Sequence, residues 1–444
     1  MIPGPDKEAL ILFGGLPQLA PRGSLDLKSL DNERGNRTAV RNIVLVTLDC
    51  VRPDHLGCYG YGGVETPHLD QLAACGLLFE EAVTHGPNTW VAHGALFTGC
   101  YPPVNGLRSP HDRLSPQVVT MAEWFSAHGW TTAAFPGTSL VGRGHGFHRG
   151  FDLFDDKWLE AMETSGGKVL WRRNWKQALA KAFEWMEESR EPFLVWLHYI
   201  DTHHLPILDL PEYYRSRFSP RWQYYDGKVS RADTECVGEI KRFLEDKGFS
   251  ERTVLAIFAD HGEELGEDGR PLHDGELKED VVRVPLIMVA PGTWAWGGKR
   301  LCHPVGLVDV FPTLCKLTGL EPPSGIQGLS LDEEDLLWGS RLRARILYLE
   351  NWPKGFVAAR TSQWKLVLRV DPCDEASVCG PKVAGLYDLR NDPWGTNDLS
   401  ASYPDVVEWL RAECMRWFTM SPSGGSWEEG MESVKEALEA LGYI

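Results

Sequence analysis

The stretch Thr253-Val-Leu-Ala-Ile-Phe-Ala-Asp-His261 is an apolar run rich in β-formers that stops on an Asp-His pair and continues into Gly262-Glu-Glu264. A run of this kind reads as a buried strand that delivers two metal-ligating side chains to the edge of a sheet. Far upstream, Asn42-Ile-Val-Leu-Val-Thr-Leu-Asp49 is a second such run, and it ends on Asp49. Two strands that drop hard ligands at their carboxyl ends point to one shared metal site.

Outward from these two runs, apolar stretches alternate with amphipathic ones. Strands are expected at 42–48, 79–83, 130–135, 193–199, 253–259 and 284–290, and helices near 67–76, 90–98, 117–128, 172–188, 232–247 and 307–318. The alternation predicts an α/β fold with a central, mainly parallel sheet flanked by helices. The tail reads differently. Ile346-Leu-Tyr-Leu-Glu350, Phe356-Val-Ala-Ala359, Trp364-Lys-Leu-Val-Leu368 and Gly385-Leu-Tyr-Asp388 are short strand signals with turns between them. They predict a small antiparallel sheet, a helix near 403–418 and a charged helix over 427–441. The expected organisation is an N-terminal extension over 1–40, a catalytic domain over 41–325 and a C-terminal α+β subdomain over 326–444, with the boundary near Pro322-Pro-Ser-Gly325.

The chain has 444 residues, enough to bury a large core, and a net charge of −17 that argues against nonspecific nucleic-acid binding. An anionic substrate would have to be attracted by local metal and histidines. No apolar run approaches the ~20 residues of a membrane span. Ala9-Leu-Ile-Leu-Phe13 is short and follows Asp6 and Glu8 instead of a basic region, so a cytoplasmic location is expected. The ten cysteines show no zinc-knuckle spacing and read as reduced thiols, with Cys373 and Cys379 near enough in sequence to bridge a loop. Gly142-Arg-Gly-His-Gly-Phe147 does not follow the strand that a dinucleotide-binding loop requires. The Trp- and Tyr-rich stretch 213–225 reads as a surface loop, with aryl or sugar contact as the alternative. The oligomeric state is left open.

Several segments resemble the sulfatase family of the alkaline phosphatase superfamily. Asn42 to Gly60 resembles its opening strand and metal loop, and Thr66-Pro-His-Leu-Asp-Gln-Leu-Ala73 continues the likeness. Leu96-Phe-Thr-Gly-Cys-Tyr-Pro102 looks like the end of its signature helix. Phe258 to Gly266 and Val282-Arg-Val-Pro-Leu-Ile287 match the second metal segment and the strand after it, and Leu386 to Pro393 resembles the C-terminal subdomain. The likeness covers about residues 42–420, in order.

One departure bears on the chemistry. The family's signature helix begins with Cys or Ser, which is oxidised to formylglycine, followed by Pro two places on and Arg four places on. Here those places hold Thr89, Val91 and His93. The Cβ methyl of Thr89 means that oxidation would give a ketone and no aldehyde, so no formylglycine is expected. A metal-bound Thr hydroxyl at a helix N-terminus remains a reasonable nucleophile; the alternative is that Thr89 simply caps its helix.

By resemblance, Asp49, Asp260, His261 and the Thr89 hydroxyl would hold one divalent metal. Cys50 stands where many calcium-dependent relatives keep a second Asp. The remaining donors suit Mn²⁺ or Zn²⁺ better than Ca²⁺. One metal is preferred over two, because Asp201 is followed four places on by Leu205, where a two-metal phosphatase keeps a His; the alternative is a second site made of Asp201, His203 or His204, and His273. The stretch His198 to His204 resembles the loop that brings a histidine to the leaving group; the resemblance maps that role onto His203, ahead of His198 and His204, and another substrate-side group onto His273. His93, one turn from Thr89, would hold a nonbridging oxygen or assist the nucleophile. The expected activity is hydrolysis of a small anionic phosphate or phosphonate mono- or diester. The alternatives are a sulfuric ester hydrolase working without formylglycine and a catalytically silent binding protein.

Overall fold

The two apolar runs form neighbouring strands, Asn42–Leu48 and Thr253–Phe258, paired in parallel from Asn42 opposite Thr253 to Thr47 opposite Phe258. Every residue of both is buried, which is why neither alternates polar with apolar positions. The computed structural model describes residues 40–156, 159–163, 169–203, 210–219, 221–266, 275–291, 297–331, 335, 340–343, 345–370 and 381–418.

Phe193–Tyr199 pairs in parallel along the other side of Asn42–Leu48, and Thr131–Phe135 and then Leu153–Phe154 extend the sheet in parallel beyond it. Beyond Thr253–Phe258 come Leu286–Val289 and Leu77–Phe79, each antiparallel to the strand before it, and Lys299–Leu301 ends that side. The result is the expected mixed, mainly parallel sheet, with eight strands. Helices Pro67–Cys75, Met121–Ala127, Trp175–Glu188 and Val310–Thr318 contribute apolar residues to the same core as the strands. Met121–Ala127 starts at a capping box, in which Thr120 Oγ1 accepts from Glu123 N–H and Glu123 accepts from Thr120 N–H. Thr89–Thr98 is buried along its whole length, so it carries no polar stripe turned to solvent, and its polar side chains find partners inside. It ends at Gly99, whose φ of 62° is the left-handed conformation that a helix terminus of this kind needs.

Leu347–Asn351, Phe356–Arg360, Trp364–Arg369 and Lys382–Asp388 form a four-stranded antiparallel sheet. Its alternation separates two faces. Phe356, Ala358 and Val367 pack on Val83, Leu277 and Val282, while Val357, Ala359, Leu366 and Leu368 pack on Val407, Leu410 and Cys414 of the helix Pro404–Phe418. Buried charge fixes the first of these contacts. Glu279 accepts from Lys365 Nζ at 2.8 Å and from Arg360 at 3.2 Å, and Arg360 also reaches Glu81.

Four elements differ from the sequence expectation. The strand expected at 79–83 is two, Leu77–Phe79 and Ala82–Val83, in separate sheets, because Glu80 and Glu81 turn away to Arg300 and Arg360. The helix expected from 172 begins at Trp175, after a strand Val169–Arg173 that pairs with Leu159–Glu163. The helix expected from 232 begins at Gln223, because its first turns carry polar groups with internal partners that hide the apolar period. Asp233, for instance, accepts backbone N–H groups of His68 and Leu69. The stretch 213–225 is therefore partly helical, with Tyr214 and Tyr225 buried and Tyr213 and Tyr224 exposed. The extension over 1–39, the helix expected over 427–441, and Cys373 and Cys379 lie outside the described residues.

Candidate active site

Thr47 stands opposite both His198 and Phe258, so Asp49, His198 and Asp260 meet at one edge of the sheet. All three are fully buried. Asp49 Oδ2 accepts from His198 Nε2–H at 3.0 Å, while His198 Nδ1 accepts from Gly137 N–H at 3.4 Å. These two bonds fix one imidazole tautomer and aim the Asp49 carboxylate. Asp49 Oδ1 accepts from the Cys50 thiol at 2.9 Å.

Cys50 turns the chain in a left-handed conformation, φ 57°, that side chains other than Gly seldom adopt. Tyr225 holds that turn: its hydroxyl donates to Cys50 O at 2.7 Å and accepts from Arg52 N–H at 2.8 Å. The turn is also tied to its neighbour across the sheet. Asp260 Oδ1 accepts from Cys50 N–H at 3.3 Å and from His261 N–H at 3.0 Å. Gly262 closes the second turn against the 281 backbone, where an added Cβ would collide with the Asp280 carbonyl oxygen.

His261 Nδ1–H donates to Gly262 O at 2.9 Å, which leaves the Nε2 lone pair facing Thr89 Oγ1 at 3.2 Å and Asp260 Oδ2 at 3.5 Å. Thr89 is the first residue of its helix, and Asn88 is the cap. Its hydroxyl thus points at an imidazole instead of the helix backbone. His93 is fully buried one turn on. Its Nδ1–H donates to Thr89 O at 2.8 Å, and its Nε2 lies 3.1 Å from Thr47 Oγ1, which accepts from Trp196 Nε1–H at 3.0 Å. Both ring nitrogens of His93 therefore brace the helix against the central strands. Burial is the main cause that lowers the pKa of His93 to about 3 and of His198 to about 4, so both are neutral. Burial also opposes charge on His261, but the carboxylates of Asp260 and Asp49 outweigh it and raise its pKa. The Cys50 thiol is pushed up by burial and then by Asp49, Glu263 and Asp260.

A cation fits this donor set. Asp260 Oδ2 is buried without a hydrogen-bond donor, and His261 Nε2 and the Thr89 hydroxyl lie beside it. Asp49, Asp260 and Glu263 place three buried carboxyls in one region, an arrangement that calls for positive charge. His203 is buried on the same side, and its carbonyl accepts from Lys228 Nζ at 2.6 Å. The ligand atoms of Cys50, His203 and Glu263 lie within 4.8 Å of one another.

Of the residues singled out in the sequence, Asp49, Thr89, His93, Asp260 and His261 are brought together directly, and His203 joins them through Cys50. His273 and His204 lie outside the described residues. Sequence reasoning gave little weight to His198 and none to Glu263 or Tyr225. The signal for His198 was available in principle, because it stands one residue from the carboxyl end of a strand parallel to the one that ends on Asp49.

A family model described as Sulfatase matches residues 41–320. An ulvan-active sulfatase of Formosa agariphila is 27% identical over 329 residues; the match spans 66% of this chain and 64% of that protein. The phosphonate monoester hydrolase of Agrobacterium radiobacter shares the fold with a TM-score of 0.70 at 18% identity, over 85% of this chain and 95% of that one. A structure solved with its substrate D-glucosamine-2-N,6-O-disulfate has a TM-score of 0.67 at 18% identity, over 89% of this chain and 98% of that one.

Proposed function

This chain belongs to the sulfatase family of the alkaline phosphatase superfamily, and we propose that it hydrolyses small phosphate or phosphonate mono- or diesters with the unmodified Thr89 hydroxyl as nucleophile. The observation that carries this reading is the 3.2 Å approach of Thr89 Oγ1 to His261 Nε2 beside Asp260. Asp49, Asp260, His261 and Thr89 would hold a divalent ion, with Mn²⁺ or Zn²⁺ assigned over Ca²⁺ because the set contains an imidazole and only two carboxylates. When bound, the ion supplies Lewis acidity that makes the Thr89 hydroxyl easier to ionise.

The protein's own groups do the rest. The Gly262 carbonyl fixes the His261 tautomer, so Nε2 faces Thr89 in every turnover. His198 holds Asp49, and His93 holds the first turn of the helix that carries Thr89. The N-terminus of that ten-residue helix favours an anion beside Thr89. Thr89 attacks phosphorus in line, the ester oxygen departs on the side assigned to His203, and water then opens the phospho-Thr89 ester. Phosphorus is preferred for a chemical reason. An aldehyde hydrate has a second hydroxyl able to expel an esterified anion, whereas Thr89 has one hydroxyl, and its ester is opened only by attack of water at the esterified centre.

The test is hydrolysis of matched aryl phosphate monoester, phosphodiester, phosphonate and sulfate by manganese- or zinc-loaded protein. Preference for phosphorus is expected. Thr89→Ala should lose turnover with its circular dichroism unchanged, and Thr89→Ser should keep a measurable rate. Preference for the sulfate, or turnover by Thr89→Ala near that of the parent, would overturn the assignment.

A further inference from the structure

Cys50 adjoins two groups of donors. Its Sγ lies 2.9 Å from Asp49 Oδ1 and 3.7 Å from His261 Nδ1. That nitrogen is engaged by Gly262 O, and His261 turns the opposite nitrogen to Thr89 and Asp260. Ligand atoms of Asp49, Cys50 and His261 also lie within 4.8 Å of one another, so the thiol borders the first cation position on the Nδ1 side of the imidazole. His203 and Glu263 form the second group, with ligand atoms of Cys50, His203 and Glu263 within 4.8 Å and all three side chains buried.

We propose that Cys50, His203 and Glu263 form a second divalent-cation site, of the zinc class, adjacent to the first. One sulfur, one imidazole nitrogen and one carboxylate oxygen are the donor types that zinc takes, whereas calcium and magnesium prefer oxygen alone. Charge also balances. The carboxylates of Asp49 and Asp260 match one divalent ion, and the Glu263 carboxylate with the Cys50 thiolate carries the charge of a second. Binding breaks the S–H bond of Cys50; its proton, now donated to Asp49 Oδ1, passes to solvent, so one proton is released per ion taken up. The proposal rests on the first site only in assigning Asp49, Asp260 and His261 to it.

The experiment is metal content of the dialysed full-length protein by mass spectrometry after zinc loading, with absorption spectra after cobalt loading. Two ions per chain and a near-ultraviolet thiolate-to-cobalt band are expected. Glu263→Gln and Cys50→Ser should each bind one ion, Cys50→Ser should lack the band, and Asp260→Asn should bind one ion and keep it. Circular dichroism accompanies each variant, and Glu263→Gln decides if Cys50→Ser does not fold. One ion without the band in the parent protein overturns the proposal. One ion with a band that survives Glu263→Gln also overturns it and moves Cys50 to the first site. No bound ion at all would sink the cation at Asp260 and His261 along with it.

Discussion

Replacing Glu279 by Gln should destabilise the protein by about 3 kcal/mol at neutral pH. Glu279 is buried at the junction between the main body and the four-stranded sheet, where its carboxylate faces Lys365 Nζ at 2.8 Å and Arg360 at 3.2 Å. Burial alone would raise its pKa, but the two cations outweigh burial and hold it at about 2 against an ordinary 4.5. Each unit of such a difference is ~1.4 kcal/mol, and no screening discount applies to a group this enclosed. Breaking a buried pair costs about 3–5 kcal/mol, which agrees in scale. The sign follows from the depressed value: the contribution is complete above about 4.5 and is lost as pH falls toward about 2. Urea unfolding followed by tryptophan fluorescence should show an earlier first transition for Glu279→Gln at pH 7, and the gap should narrow as pH is lowered below 4.5. A deficit below about 1 kcal/mol at pH 7, or one that does not change with pH, would refute the reasoning.

Three further outcomes follow from the site. His198→Ala removes the donor that aims Asp49 and should weaken zinc binding roughly 10- to 100-fold in equilibrium dialysis, and as truncation of a buried side chain it should also cost about 2–5 kcal/mol in urea unfolding. Gly262→Ala drives a methyl into the Asp280 carbonyl and should cost at least ~2 kcal/mol together with most of the metal affinity, measured by denaturation and dialysis. Thr89→Cys, produced with a formylglycine-generating system, should give no aldehyde by peptide mass spectrometry, because Val91 and His93 occupy the recognition positions.

What the sequence made legible was whatever a single strand or helix decides alone. Asn42–Leu48 and Thr253–Phe258 are readable because burial on both faces writes a continuous apolar run, and the residues after them are then at a sheet edge. The edge strands Lys299–Leu301 and Leu153–Phe154 are too short to leave a period, and their pairing depends on partners distant in the chain. The same limit governs the site. Thr89, Asp260 and His261 sit at element ends, where pattern and family resemblance coincide. Tyr225 was read as part of a surface loop because nothing local tells that its hydroxyl will bridge Cys50 O and Arg52 N–H. Cys50 was read as a lost carboxylate; its left-handed turn and its contact with Asp49 are properties of the assembled edge.

The pairing of Asn42–Leu48 with Thr253–Phe258 has a consequence for biosynthesis. Cys50 and Asp260, bonded across that pairing, are 210 positions apart in the chain. At translation rates of about 5–20 residues per second, roughly 10–40 s pass between the emergence of the first half of the site and the second. Through that interval the nascent chain holds Asp49 and Thr89 without their partners and cannot capture an ion in the native geometry. An ion held by these residues as proposed therefore cannot be captured before His261 has emerged, and its uptake reports on pairing of the two central strands.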